Sequence, residues 1–458
     1  MLQLAEGRQS GGTLHTRRPD MGEIMAIQEL QVQGFRSLRD VKWQPGRLNL
    51  LVGPNGGGKS NVLRCLELIS HAARGELQST LAEGGGMVPL LWDHQPGSYG
   101  WKVRIDPVDQ PRDPIKDAIT YEVELVQVGR GSAYEFHKDS LGNWHKYDQG
   151  LEKSPYWIFN RDPRGAYLFD QSQRKLVTIE EQTSDNPDGY DENESLLSHI
   201  GDMRNRIPSL VRRVIEGWGI YHDVHAERGS LMRRPATTQF TKRLAPDGGN
   251  LATVLHTLYT GDKEFRGLID EGMRAGFGQE YDQLVFQPAA AQQIQLAIQW
   301  RSSKEPHAGA DLSDGTLRFL LLLTVLSHPE PGALIAIDEP EVGLHPSMLA
   351  IIADYANAAA ERTQLVLTTH SPDFLDAFSD LSPRVTLCHW EDGQTNLYPL
   401  DEKTLAKWLE RYRLGHLFTR GELEALALPP VEPLVDIHKR FAGLPSEDDA
   451  MADLKDAD

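Results

Sequence analysis

The sequence of 458 residues predicts an α/β fold with a mixed sheet core, an antiparallel β subdomain and a compact helical insertion. Three short apolar runs, residues 48–52, 332–337 and 364–369, each end in a polar motif, as buried parallel strands do at the edge of a sheet. Two runs in which apolar and polar residues alternate, 101–105 and 121–126, instead predict antiparallel strands with one buried face. The parallel core should therefore carry the polar motifs.

The first apolar run leads into a glycine-rich turn that is followed at once by a helical pattern. The turn has the form G-x-x-x-x-G-K-S in the context that this motif needs, a strand before it and a helix after it. Its glycines let backbone N–H groups turn inward around a polyphosphate, and the helix N-terminus adds its positive dipole end. Lys59 would neutralise the β- and γ-phosphates and Ser60 would bind Mg²⁺. The predicted nucleotide-binding residues of this loop are Gly53, Pro54, Asn55, Gly56, Gly57, Gly58, Lys59, Ser60 and Asn61.

The second apolar run places two carboxylates, Asp338 and Glu339, at the end of a predicted buried strand. Adjacent carboxylates at such a position are costly to bury without a cation or a partner. Asp338 suits a Mg²⁺ ligand, either direct or through water, and Glu339 suits a general base that polarises the attacking water. The pair therefore predicts a hydrolytic site.

Two further motifs are weak when each is taken alone. The sequence Leu312-Ser313-Asp314-Gly315 precedes a strongly apolar helical pattern, and it is also simply a good helix N-cap. His370 follows the third apolar run, where a histidine often has only a structural role. The order of the motifs is specific: phosphate loop, L-S-x-G, two carboxylates after a strand, and a strand that ends in histidine.

In this order the motifs resemble those of the ATP-binding-cassette (ABC) ATPases, in their non-transporter group that includes RecF, SMC heads and OLD nucleases. Residues 33–38, residues 338–346 and the phrase Thr369-His370-Ser371-Pro372 match the same group. The chain resembles in particular the stand-alone AbiEii-like ATPases of bacterial defence and repair loci. The resemblance covers residues 26–72 and 245–420 well, and it implies a P-loop NTPase fold of the ABC-ATPase head type.

The resemblance also implies roles for single residues, with ATP and Mg²⁺ as cofactors. Ser313 and Gly315 would close over the γ-phosphate that a second subunit binds, so that ATP would drive the formation of a head-to-tail homodimer. His370 would contact the γ-phosphate or the attacking water. Arg36 and Ser37 would lie near the nucleotide.

Patterns along the chain predict five segments. Residues 193–218 and 251–260 predict helices without a sustained heptad repeat, so the insertion should be compact. The glutamine that couples Mg²⁺ to the insertion in relatives is not identified, and Gln127 and Gln182 are both candidates. The predicted segments are a flexible lead-in (1–24), ATPase lobe I (25–180), the helical insertion (181–285), ATPase lobe II (286–425) and an acidic tail (426–458).

Composition limits the partners that we expect. The formal net charge is −19, from 47 basic and 66 acidic residues. The electrostatic field of a protein with this charge repels DNA, but it does not exclude a local basic patch. Residues 226–235 form one cluster with three arginines, which either faces nucleic acid or a partner or is a solvated loop. Two cysteines, no apolar run of about 18 residues and no signal peptide favour a cytoplasmic protein without membrane contact.

These observations favour an ATP-hydrolysing molecular switch that regulates a separate effector protein in anti-phage defence. A RecF-like DNA-repair ATPase that binds DNA directly is the alternative. We do not expect nuclease activity in this chain, because 88 residues after His370 are few for a toprim domain. The only late D-x-D, at residues 456–458, has no predicted strand before it.

Overall fold

The computed structural model describes most of the chain. The predicted lead-in, Gln182 and residues 431–458 of the predicted tail lie outside the described ranges. The described residues are 25–92, 97–106, 118–129, 133–143, 156–170, 173–181, 189–200, 206–290 and 292–430.

The strands of the described part fall into three sheets. They are β1 (Ile27–Phe35), β2 (Leu38–Trp43), β3 (Leu48–Val52), β4 (Ser98–Ile105), β5 (Ile119–Gln127), β6 (Tyr134–Asn143), β7 (Tyr156–Asp162), β8 (Gly165–Asp170), β9 (Lys175–Ile179), β10 (Gly219–Tyr221), β11 (Ala236–Thr237), β12 (Tyr281–Ala289), β13 (Gln293–Trp300), β14 (His307–Ala308), β15 (Leu334–Ile337), β16 (Gln364–Thr369), β17 (Arg384–Glu391) and β18 (Gln394–Pro399).

Most helices of the described residues connect these strands along the chain. They are α1 (Lys59–Arg74), α2 (Leu77–Glu83), α3 (Leu196–Ile200), α4 (Arg206–Glu216), α5 (Leu251–Gly261), α6 (Lys263–Phe277), α7 (Asp314–Leu326), α8 (Pro346–Ala360), α9 (Pro372–Asp376), α10 (Glu402–Leu409) and α11 (Leu414–Thr419). Short 3₁₀ turns cover Val88–Leu90, Leu231–Arg233, Gly278–Glu280, Gly309–Asp311 and Glu424–Leu426.

Local sequence explains where the main helices begin and end. The helix α1 ends at Gly75, whose φ of 74° is the left-handed conformation that glycine adopts without strain. The helix α6 begins after Asp262, whose carboxylate accepts hydrogen bonds from the backbone N–H groups of Glu264 and Phe265. His345 caps α8 in the same way through the N–H of Ser347, and Pro346 occupies the first turn.

The core is a six-stranded mixed sheet with the order β10-β15-β16-β3-β17-β18. Neighbouring strands are parallel except β17 and β18, which are antiparallel at one edge. The register of β15 and β16 sets Ile337 opposite Leu367, so Asp338 and Thr368 follow at the same edge of the sheet. The three apolar runs are therefore adjacent parallel strands, as their sequences predict.

Both faces of the core sheet are covered. In β3, Leu48, Leu50 and Val52 contact the hydrophobic cluster that the helices α5 to α9 form on one face. Leu51, which points to the other face, joins the cluster formed by α1 and the antiparallel strands. Every residue of β3 is buried, which is why this strand is an unbroken apolar run apart from Asn49.

The other two sheets are antiparallel. The larger has eight strands in the order β2-β1-β4-β5-β6-β7-β8-β9 and contains both alternating runs that predicted it. The smaller has the order β11-β13-β12, with β14 paired to β13. The predicted fold class, an α/β mixed core with an antiparallel β subdomain, is confirmed.

The segment predicted as a compact helical insertion, residues 181–285, contains strands as well as helices. Within this segment α3 to α6 are helical, but β10 belongs to the core sheet and β12 to the smaller sheet. Because β10 is only three residues long, no periodicity marks it in the sequence. The predicted helix over 193–218 corresponds to α3 and α4, which are separated by residues outside the described ranges.

No helix among the described residues is both long enough and apolar enough to cross a lipid bilayer.

Candidate functional site

The phosphate loop encloses the side chain of Lys59, which is only 4% exposed. Its Nζ donates to the backbone carbonyl oxygens of Gly53 at 2.8 Å and Pro54 at 3.0 Å. Both partners are neutral, and no carboxylate of a described residue lies within ion-pair distance of this ammonium. A buried cation without a counter-ion is costly, and a bound polyphosphate would supply the missing negative charge.

The glycines of the loop are required because the loop packs against the backbone of β17. A Cβ atom at Gly53 would lie 2.3 Å from the carbonyl oxygen of Cys388, and one at Gly57 would lie 2.7 Å from it. Gly58 has a φ of 90° at the N-terminus of α1. Burial raises the pKa of the Cys388 thiol to about 12, so this cysteine packs as a neutral group. The loop is thus held by a strand more than 300 residues away in sequence.

A chain of side-chain hydrogen bonds also holds the phosphate loop in place. Asn61 Nδ2 donates to Ser37 Oγ at 2.8 Å, and Ser37 Oγ lies 2.7 Å from Thr395 Oγ1. Thr395 Oγ1 donates to the carbonyl oxygen of Gly57 at 3.2 Å. The side chains of Ser37 and Asn61, both predicted to bind nucleotide, therefore bond to each other. Sequence reasoning missed Thr395, which no local motif marks.

Arg36 lies beside this network in a turn. Its backbone has a φ of 49°, and its Nε is buried and has no hydrogen-bond partner within the described ranges. Burial, and secondarily the nearby charge of Arg64, lower the pKa of Arg36. An anionic ligand would relieve both effects, which fits a phosphate nearby.

The predicted catalytic carboxylates lie at the edge where β15 and β16 end. Thr368 Oγ1 donates to Asp338 Oδ1 and accepts from the backbone N–H of Glu339 at 3.0 Å. The Nδ1–H of His370 donates to Glu339 Oε1 at 2.8 Å. Glu339 has a φ of 43°, which is uncommon for a residue with a Cβ and turns its carboxylate toward His370. The structure thus brings Asp338, Glu339 and His370 together.

Two further residues support this edge and were missed from sequence. Arg318 on α7 donates from Nη2 to the carbonyl oxygen of Glu339 at 3.0 Å. Glu341 accepts a hydrogen bond from Thr369 Oγ1, and burial raises the pKa of Glu341. Arg318 thus holds the backbone of Glu339, and Glu341 is bonded to the side chain of the residue before His370. Their contacts are tertiary, so no short motif identifies them.

The oxygen donors needed for Mg²⁺ are available. Ser60 is the second residue of the helix α1 and is partly exposed, and Asp338 presents a carboxylate at the edge of the core sheet. A hydroxyl and a carboxylate, completed by phosphate and water oxygens, form the ligand set that Mg²⁺ prefers. These residues therefore fit the cation.

The L-S-D-G motif lies at the start of α7. Ser313 is exposed and caps this helix, because its Oγ accepts from the backbone N–H of Thr316 at 3.1 Å. A Cβ atom at Gly315 would lie 2.5 Å from the carbonyl oxygen of Gly343, so glycine allows α7 to approach the loop after β15. In the described part of the chain, no hydrogen bond joins Ser313 or Gly315 to the phosphate loop of the same molecule.

Of the two candidates for the coupling glutamine, the described residues include only Gln127. Gln127 ends β5 in the antiparallel sheet, and Gln182 lies outside the described ranges. The strand next to the carboxylates is β10, because the backbone N–H of Asp338 donates to the carbonyl oxygen of Tyr221 at 2.9 Å. The residue after β10 is His222, whose Nε2 lies 2.6 Å from Glu67 Oε2 on α1.

Comparison with known proteins agrees with this architecture. A family model described as "AAA domain, putative AbiEii toxin, Type IV TA system" matches residues 48–376, which is more than half of the chain. An OLD nuclease from Thermus scotoductus (strain ATCC 700910 / SA-01) is 23% identical over 421 residues, which cover 87% of this chain and 70% of that protein.

Solved SMC heads are also similar. An SMC head bound to the C-winged helix domain of ScpA has a TM-score of 0.47 at 12% identity, covering 83% of this chain and 99% of that one. The SMC head domain from Thermotoga maritima has a TM-score of 0.41 at 12% identity, covering 82% and 100%. The match of the family model decides the assignment and confirms the predicted relationship to the AbiEii-like ATPases: the chain belongs to the family described as an AAA domain of the putative AbiEii toxin type.

Proposed function

We propose that this chain is an ATP-hydrolysing switch whose nucleotide sites are completed when two copies meet head to tail. The observation that carries this proposal is the separation of the L-S-D-G motif from the rest of the site. Each chain assembles the phosphate loop, Asp338, Glu339 and His370 at one edge of its core sheet. Ser313, in contrast, is exposed at a helix N-terminus that makes no hydrogen bond to that loop within the described part.

ATP binding rests on the enclosed cation and the loop around it. Residues Gly53 to Asn61 would bind the phosphates, with Lys59 as counter-charge, and Arg36 would lie beside them. The side chain of Ser37 would act indirectly, by holding Asn61 and the loop. Ser60 and Asp338 would hold Mg²⁺, which when bound supplies positive charge to the phosphates.

Hydrolysis would use the hydrogen-bonded pair of Glu339 and His370. In the tautomer with a proton on Nδ1, His370 donates to Glu339 Oε1 and holds this carboxylate in one orientation. Glu339 would accept a proton from water as the water attacks the γ-phosphate. The second ring nitrogen, Nε2, would then be free to face the same water or the γ-phosphate.

The partner subunit would supply the remaining part of the site. The exposed N-terminus of α7 carries backbone N–H groups, the Ser313 hydroxyl and the positive end of a helix dipole, which together suit an anion. ATP bound to one chain would thus be covered by α7 of the other. Closing and opening would follow binding and hydrolysis.

We infer that the switch regulates a separate effector in anti-phage defence. The family description includes a type IV toxin–antitoxin system, and one relative is named an OLD nuclease. The net charge of −19 weighs against the RecF-like alternative, in which the chain binds DNA directly. Of the three arginines in the basic cluster, Arg233 is only 5% exposed and is not available to DNA.

Replacing Lys59 by Ala is expected to abolish ATP binding, because the phosphates lose their enclosed counter-charge. Affinity for a fluorescent ATP analogue measures this effect. The matched control is Lys403→Ala, which removes an exposed lysine from α10 and should leave affinity unchanged. Unchanged affinity in the Lys59 variant would refute the assignment of the phosphate loop.

Replacing Glu339 by Gln is expected to preserve ATP binding and to slow steady-state hydrolysis by about 10²-fold or more, the range for loss of a general base. ATP-bound dimers should then accumulate, which sedimentation measures. Glu361→Gln, at an exposed position after α8, is the control. Hydrolysis at the wild-type rate would place the general base elsewhere, with His370 as the first residue to test.

Replacing Ser313 by Arg tests the shared site. The variant should still bind ATP through its own phosphate loop, but it should neither dimerise nor hydrolyse, because the arginine blocks the γ-phosphate of the partner. Ser302→Arg, in an exposed turn, is the control. A Ser313→Arg protein that hydrolyses ATP normally as a monomer would show that the head-to-tail arrangement is wrong.

The same variant allows a complementation experiment. A mixture of Ser313→Arg and Lys59→Ala forms heterodimers with one intact composite site and one site that is doubly defective. If one filled site is enough for closure, the mixture should regain ATPase activity that neither protein has alone. Sedimentation with ATP should in that case detect the heterodimer.

The purified protein alone is expected not to cut DNA in the presence of Mg²⁺ or Mn²⁺ and ATP. Incubation with supercoiled plasmid and electrophoresis checks this expectation. Asp338→Asn provides the control for any weak cleavage. Cleavage that depends on Asp338 would show that this chain is itself a nuclease.

A further inference from the structure

Arg233 belongs to the basic cluster of residues 226–235, but its environment differs from that of its neighbours. It lies in the short 3₁₀ turn Leu231–Arg233 and is 5% exposed, whereas Arg234 is exposed. An arginine is seldom buried to this extent unless its donors are satisfied. The contacts of Arg233 therefore show what holds it inside the protein.

The guanidinium of Arg233 spans two segments that are distant in sequence. Its Nε donates to the carbonyl oxygens of Ala226 at 2.9 Å and Glu227 at 3.1 Å, in the loop after β10. Its Nη1 donates to three carbonyl oxygens of the segment before α7, those of Gly309 at 3.2 Å, Ala310 at 3.3 Å and Leu312 at 2.6 Å. Its Nη2 forms an ion pair with Asp314 Oδ1.

These contacts fall on both sides of Ser313. Leu312, on one side, is held through its carbonyl oxygen, and Asp314, on the other, through its carboxylate. The Ser313 hydroxyl accepts from the backbone N–H of Thr316, and the Ser313 carbonyl oxygen accepts from the N–H of Leu317, so this residue is fixed relative to α7. Arg233 in turn ties the start of α7 and the segment before it to the loop after β10, and it thereby fixes where this hydroxyl lies relative to the rest of the chain.

We propose that Arg233 is a positioning residue for the shared ATP site, which orients Ser313 toward the γ-phosphate bound by the partner subunit. This inference rests on the proposed head-to-tail dimer. Arg233 does not touch nucleotide in this assignment. It acts through the turn that carries Ser313.

The arrangement of these hydrogen bonds requires an arginine, and not a lysine, at position 233. A guanidinium has five N–H donors in a fixed plane, and here they are distributed over both segments. A lysine at this position keeps the charge but has three donors on one nitrogen, so it cannot reach both the loop after β10 and the turn before α7. Arg233→Lys should therefore preserve charge while releasing part of the turn.

The test compares Arg233→Lys with Arg234→Lys, each in the Glu339→Gln protein, which holds closed dimers. For Arg233→Lys, the affinity for ATP should stay within about twofold, because the phosphate loop is untouched. Dimerisation with ATP should weaken by about tenfold or more, the factor that loss of one or two charge-assisted hydrogen bonds gives. Arg234→Lys should change neither quantity. Fluorescence titration and sedimentation provide the two measurements.

Complementation distinguishes a defect in the shared site from a general loss of stability, because an unstable protein would not regain activity in a mixture. With Glu339 restored, Arg233→Lys mixed with Lys59→Ala should regain ATPase activity, because the intact phosphate loop of the first meets the intact L-S-D-G turn of the second. Unchanged dimerisation of Arg233→Lys would overturn the inference. Loss of ATP affinity together with dimerisation would also overturn it, since Arg233 would then support the whole fold.

Ser313→Arg in the same background separates this inference from the proposed function. If Ser313→Arg still dimerises with ATP, the head-to-tail site fails and the inference about Arg233 fails with it. If Ser313→Arg loses dimerisation while Arg233→Lys retains it, the shared site stands and only the role of Arg233 is refuted.

Discussion

The parallel pairing of β3, β15 and β16 is the constraint on which the site depends. Parallel strands end at the same edge of a sheet, so the phosphate loop, the two carboxylates and His370 are brought together although they are far apart in sequence. Both faces of this sheet are buried, which fixes the register. A shift of one residue in β15 would turn its side chains to the opposite faces and move Asp338 and Glu339 away from Thr368.

The charged groups at this edge are only partly compensated within the chain. Lys59 is enclosed by neutral carbonyl oxygens, and Arg36 carries a buried donor without a partner in the described ranges. The carboxylates of Asp338 and Glu339, in contrast, each accept a hydrogen bond that orients them. Buried cations that lack an anion, together with oriented carboxylates, are the groups expected in a site that takes up a nucleotide with its metal.

The features that could be predicted from the sequence are those marked by local motifs. The phosphate loop and the D-E pair each stand between a recognisable strand and a helix or turn, so the core and the grouping of Asp338, Glu339 and His370 could be predicted. Thr395, Arg318 and Arg233 could not, because their partners are distant in sequence and their positions follow only from the folded chain. The strand β10 was missed for a different reason, since three residues are too few to show a period.

A structure of the Glu339→Gln protein with ATP and Mg²⁺ tests the shared site most directly. Two chains should be related by a two-fold axis, with each nucleotide between Lys59 of one chain and Ser313 of the partner subunit. The γ-phosphate should lie within hydrogen-bond distance of that hydroxyl and of the N-terminus of the same α7 helix. A nucleotide that contacts residues of one chain only, with Ser313 exposed to solvent, would contradict the head-to-tail mechanism.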